Sequence, residues 1–137
     1  MISETTTVVD RLRAATNAHD LDAIVECFSE TYRNETPIHP GRGFTGRTQV
    51  RANWHHIFKA VPDVIAEVTR EVIAGDVIWS EWEMRGTRRD GQPHLMRGVI
   101  IFGVANDLID WARFYLEPVD DRDEGAEMAV QRIVGSQ

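Results

Sequence analysis

Apolar residues recur at two different periods along this chain, and the change from one to the other falls near Pro62. Before it, Val8, Val9, Leu12 and Ala15 stand at helical spacing and predict a helix over residues 5–18. Asp20 is suited to cap a second helix, whose Leu21, Ile24, Val25 and Phe28 form an i, i+3, i+4, i+7 stripe. The intervening Asn17-Ala18-His19-Asp20 predicts a helical hairpin. Residues 31–38 read as a short strand interrupted by Pro37, followed by a glycine-rich loop that runs to Gly46. A third helix is expected from Arg47, with Val50, Trp54, Ile57, Phe58 and Val61 on its inner side and Pro62 at its end.

Beyond Pro62 the pattern is extended. Residues 64–74, 77–87, 94–104 and 108–117 have strand length and composition, with turn signals at Asp90-Gly91 and Asn106-Asp107. Helices first and consecutive hairpins afterwards indicate an α+β domain with an antiparallel sheet, over residues 1–119. An acidic stretch opens a tail, residues 120–137, that is partly helical. Its Ala126, Ala129, Val130 and Ile133 form an apolar stripe that must cover either the mouth of the domain or a second subunit.

One strand, WSEWEMRG at residues 79–86, raises a specific question. Period-two geometry puts Trp79, Glu81, Glu83 and Arg85 on one face and Ile78, Ser80, Trp82 and Met84 on the other. Periodicity by itself favours a solvated glutamate face with Trp82 and Met84 packed inward.

Composition narrows the class. With 137 residues, 42% of them hydrophobic, the chain can bury a core and still enclose a pocket. A formal charge of −7 with arginines interspersed among acids excludes the basic face that nucleic acid requires. The single cysteine, Cys27, rules out an internal disulfide and reads as a buried small hydrophobe. The first residues lack a basic start and a long apolar run, so no membrane segment is expected and a cytoplasmic location is the default.

The order of elements and the stretches NAHDLDAIVECFSETY, FTGRTQVRANWHHIFKAVPDV, GDVIWSEWEMRGTRRDG and NDLIDWARFYLEP resemble the SnoaL-like branch of the nuclear transport factor 2-like superfamily. Its relatives include polyketide cyclases, ketosteroid isomerase and limonene epoxide hydrolase. The resemblance implies a cone-shaped α+β barrel, three N-terminal helices packed in a strongly curved antiparallel sheet, with a deep apolar pocket. It also implies a homodimer through the outer sheet face.

Laid against limonene epoxide hydrolase, Glu81 and Glu83 fall on a catalytic arginine and aspartate that face the pocket, which turns the glutamate face inward. Phe114 falls on the second catalytic aspartate, so that enzyme's Asp-Arg-Asp set is not present. Tyr32 and Asn34 match the tyrosine and asparagine that hold its nucleophilic water, with a two-residue shift left open by Pro37. Thr36 stands before Pro37 where ketosteroid isomerase has its carboxylate base, so that mechanism does not carry over either.

Two carboxylates roughly 6 to 7 Å apart on one strand face of an apolar pocket do not both ionise readily. Glu83 and Glu81 are therefore the candidate acid and base, with Arg97 on the adjacent strand as their partner or an oxyanion donor. A plain cross-strand salt bridge is the alternative for Arg97. The substrate-binding candidates are Tyr32, Asn34 and His39 at the mouth, and Trp54, Phe58, Trp79 and Phe114 as an aromatic wall suited to a flat or polycyclic ligand. Arg113, Tyr115 and Glu117 share the opposite, outward face of the last strand. No two-histidine motif at ligand spacing occurs, so neither a metal nor a cofactor is expected.

The expected function is that of a small cofactor-free enzyme using general acid/base catalysis on an apolar carbonyl- or epoxide-bearing molecule, a polyketide cyclase, isomerase or hydrolase. The alternatives are a non-catalytic small-molecule binder or dimeric scaffold of the same fold, and a protein-binding module.

Overall fold

The computed structural model describes residues 6–135. Helix α1 (Val8–Asn17) starts at a reciprocal cap: Thr7 Oγ1 accepts the Asp10 N–H at 3.1 Å, and Asp10 Oδ2 accepts the Thr7 N–H at 2.9 Å. Thr5, the expected start, lies outside the described residues. Helix α2 (Leu21–Glu26) is capped by Asp20, whose Oδ1 accepts the Ala23 N–H. The hairpin between them does more than turn the chain. The Asn17 side chain accepts the Ala66 N–H at 2.7 Å and donates to the Ala66 carbonyl at 2.9 Å. His19, at a φ of 54°, sets its Nε2 2.8 Å from the Val64 carbonyl and stacks its ring on Phe58.

Helix α2 ends before Phe28, the last member of the expected stripe. Phe28 is instead the first residue of β1 (Phe28–Glu35), and Pro37 lies in the loop beyond that strand. The Cys27 carbonyl accepts the Ile109 N–H, and the Phe28 carbonyl accepts Arg47 Nε, so these groups are drawn away from a continuing helix. Phe28 remains buried, and its spacing signalled a core position and not another helical turn.

A single 3₁₀ turn at Pro40–Arg42 and the two-residue β2 (Phe44–Thr45) lead to α3 (Arg47–Ala60). Four long strands follow: β3 (Ile65–Ala74), β4 (Val77–Thr87), β5 (Pro93–Ala105) and β6 (Leu108–Pro118). Asn106 and Asp107 both take positive φ, 53° and 64°, as a tight hairpin between twisted strands requires.

The sheet has six strands in the order β2-β1-β6-β5-β4-β3, curled around the helices and unclosed. It is not wholly antiparallel as expected: β1 runs parallel to β6, with Asn34 opposite Ala112 and Glu35 opposite Arg113. The domain is therefore a mixed α+β cone in which the first long strand is laid against the last.

The core fills the space between α1, α2 and the concave face of the sheet. Val9, Leu12 and Ile24 meet Tyr32, Ile78, Trp82, Ile100, Phe102 and Ile109 there. On β4, Ile78, Ser80, Trp82 and Met84 are all buried, whereas Trp79, Glu81 and Arg85 are exposed. Helix α4 (Ala126–Val134) leaves Val130, Ile133 and Val134 exposed, Ile133 at 72%, so its stripe covers neither the mouth nor any other element closely.

Candidate functional site

A cavity of about 310 Å³ opens inside the cone, between α3 and the inner face of the sheet. Trp54 and Ile57 come from α3, Trp82 and Met84 from β4, Ile100 from β5 and Phe114 from β6. On the strands, alternation turns the apolar Trp82, Met84, Ile100 and Phe114 to the cavity and their neighbours outward. Trp82 offers only its ring. Its Nε1–H is donated to Ser80 Oγ at 2.8 Å, and Ser80 in turn donates to the Ile100 carbonyl at 2.8 Å.

Within this apolar wall β1 places one buried polar pair. Tyr32 donates its hydroxyl proton to Asn34 Oδ1 at 2.7 Å, and both residues line the cavity. Burial pushes the Tyr32 phenol far above its ordinary value, so it remains a protonated donor. The bond orients the Asn34 amide and occupies its oxygen. Asn34 Nδ2 has no hydrogen-bond partner among the described residues, so it is free to donate to an acceptor in the cavity.

Further polar groups stand at the rim. Thr36, two residues beyond Asn34, donates to the His39 carbonyl at 2.7 Å and shapes the loop that carries His39 and Arg42. His39 Nε2 lies 2.6 Å from Glu117 Oε1, and Arg42 Nη1 lies 3.8 Å from Glu117 Oε2. Glu117 is the one carboxylate among the described cavity-lining residues. His94, at the start of β5, also lines the cavity, and burial, followed by the Arg88 charge, holds its pKa below the ordinary histidine value.

The structure distributes the sequence-derived candidates unevenly. Tyr32, Asn34, Trp54 and Phe114 come together around the cavity. His39 reaches it through Glu117, and Phe58 packs behind Trp54 with ring centroids 5.6 Å apart. Trp79 is 51% exposed on the outer face and is not part of the wall. Glu81 and Glu83 also lie on the outer face, and the expectation that they look into the pocket is corrected. The strand can present only one set of side chains inward, and Trp82 and Met84 take that place. Arg97 is 3.4 Å from Glu83 on that same outer face, the cross-strand pair named above as the alternative. Glu81, Glu83 and Arg97, with Thr69, Gly98 and Val99, line a separate depression.

Glu117, His94 and Arg42 were not singled out from the sequence as pocket residues. Glu117 has the parity of the outward-facing Arg113 and Tyr115, but it sits at the end of β6, where the rim loop with His39 and Arg42 lies against it. Cys27 is buried; its thiol pKa is raised chiefly by that burial, and Sγ is 3.3 Å from the Ala23 carbonyl. Among the described residues no group of three His, Cys, Asp or Glu side chains could hold a metal ion. No described helix is long and apolar enough to cross a membrane.

Residues 9–112 match the SnoaL-like domain model, and the chain belongs to that family. No curated protein sequence matches it. A Catenulispora acidiphila protein with a ketosteroid isomerase-like fold, solved with trimethylamine, superposes with a TM-score of 0.70 at 18% identity, covering 82% of this chain and 87% of its own. A proposed SnoaL-like polyketide cyclase from Jannaschia sp. CCS1 gives 0.69 at 17% identity, with 85% and 91% covered. An NTF2-like protein of unknown function from Exiguobacterium sp. 255-15 gives 0.69 at 21% identity, with 85% and 100% covered. At these identities the likeness is one of fold.

Proposed function

We propose that the cone binds an apolar, carbonyl-bearing small molecule and acts on it by general acid/base chemistry without a cofactor, as a polyketide cyclase, isomerase or hydrolase would. The observation that carries this reading is the Tyr32–Asn34 pair, a buried and oriented amide donor set in a mostly apolar cavity. An apolar pocket with a few convergent polar groups binds by desolvation and discriminates by hydrogen bonding. Asn34 Nδ2 would take the carbonyl oxygen. The aromatic rings of Trp54, Trp82 and Phe114 suit a flat ring system. Membership of the SnoaL-like family and the fold shared with a proposed polyketide cyclase favour the same substrate class.

Binding is measured with 2-tetralone and its hydrocarbon counterpart tetralin, followed by tryptophan fluorescence. The native protein is expected to prefer the ketone by roughly 3- to 10-fold, the worth of one neutral hydrogen bond, and Asn34→Leu to abolish that preference. Equal affinity for ketone and hydrocarbon in the native protein would refute the role given to Asn34. One observation favours a second reading, a ligand binder without turnover: the cavity's only described carboxylate, Glu117, stands at the rim and not in its depth.

We also propose a homodimer through the outer sheet face. Trp79, Tyr115 and Val72 are exposed there, and Ile101, the register partner of Trp79, is buried although it lies outside the main core. Exposed apolar area of this kind on a sheet is suited to a second copy.

A further inference from the structure

Resting on that reading, we propose that Glu117 is the group that takes and returns the substrate proton, with His39 as its positioning residue. Two observations converge on this carboxylate. It is the one carboxylate among the described residues lining the cavity. Its Oε1 is held by His39 Nε2 at 2.6 Å, which fixes the side chain and leaves Oε2 turned toward Arg42 at the longer separation of 3.8 Å.

The groups around Glu117 explain why it is the one that works. Arg97 is its register partner on β5, but Arg97 turns to Glu83 at 3.4 Å. Arg42 is exposed, and at 3.8 Å its Nη1 pairs with Oε2 by charge and not by a hydrogen bond. His94 faces the same cavity from the start of β5. Among the described residues His39 is therefore the one group in hydrogen-bond contact with the carboxylate, and it holds Oε1 in place.

The step is an enolisation. Glu117 takes a proton from the carbon next to the carbonyl, the C–H electron pair becomes the enolate double bond, and the negative charge collects on the oxygen that Asn34 Nδ2 holds. Return of the proton to the same carbon, or to another along the conjugated system, completes exchange or isomerisation. No oxidant, reductant or metal is needed to balance it.

The experiment follows deuterium entering the α-carbon of 2-tetralone in D2O by NMR, with ligand affinity read in parallel by tryptophan fluorescence. Native protein is expected to exchange the probe faster than buffer. Glu117→Gln should bind it with unchanged affinity and exchange it roughly 100-fold more slowly, in the range of a positioned acid/base group. Glu83→Gln should match the native protein. His39→Asn should keep exchange but displace the pH at which the rate falls. Exchange by Glu117→Gln within twofold of native, or native protein that binds the ketone without accelerating exchange, overturns the assignment and leaves the binding reading standing. An unmoved pH profile in His39→Asn shows that His39 only pins the loop and overturns its part. Failure of native protein to bind the ketone removes both.

Discussion

His94 is half-buried at the cavity rim, and burial first, then the Arg88 charge, depresses its pKa from 6.5. The unfolded chain therefore takes up this proton before the folded protein does. Its contribution to stability is fully present above 6.5 and is lost as pH falls from there through the depressed folded value. The difference in thermal midpoint between about pH 7.5 and about pH 5.5 should be smaller in His94→Gln than in the native protein. An unchanged difference in a calorimetric comparison would show that the ring pays no such penalty. Glu81 and Glu83 carry the opposite lesson about single residues. The alternation of WSEWEMRG, taken by itself, turns Trp82 and Met84 inward and the glutamates to solvent. Matching them to a relative's catalytic positions inverts that, because a one-residue slip in a strand exchanges its two faces. The rim residues His94, Glu117 and Arg42 had no comparable signal: their convergence depends on where two strands stop and how one loop crosses between them.

Among the elements, the helical hairpin shows how a short polar run can fix a packing arrangement. The Asn17 amide serves the backbone of Ala66 as a neighbouring strand would, donating to its carbonyl and accepting its N–H. Asn17→Ala leaves both backbone groups without that partner and should destabilise the fold by about 1–3 kcal/mol. Chemical denaturation measures this directly; a loss under 0.5 kcal/mol, the scale of an ordinary surface change, would mean water replaces the clamp without cost. The long strands and α3 were legible because their apolar periods run over many residues. The boundary between α2 and β1 was not, since Phe28 satisfies the helical stripe and the strand's inward face equally well, and only pairing with β6 decides between them. Helix α4 was also legible as a helix from its stripe, while the exposure of that stripe on the single chain could not be read from the sequence.

For the whole molecule, the cone leaves an outer sheet face where apolar and charged side chains mix, with Trp79 at 51% exposure opposite Ile101 on β5. If two copies meet there, Trp79→Glu places two buried charges in the interface and should shift the protein to monomer in light scattering, with the cavity still binding 2-tetralone. A native protein that is already monomeric at tens of micromolar, well above the affinity of a stable dimer, would rule the interface out. The cone itself followed from the order of elements and the family resemblance. The parallel seam did not, because it joins segments that are distant in sequence.

That seam has a consequence for how the protein is made. β1 carries Asn34, yet its long neighbour is β6, the last strand to be synthesised. While the chain leaves the ribosome, β1 can hold only the two-residue β2, and its other edge waits unpaired through the synthesis of every intervening strand. Pairings this remote in sequence slow folding and expose strand edges in the interval. Asn34 and Glu117 come from opposite sides of this seam, so the cavity they both line cannot close until β6 has been laid against β1.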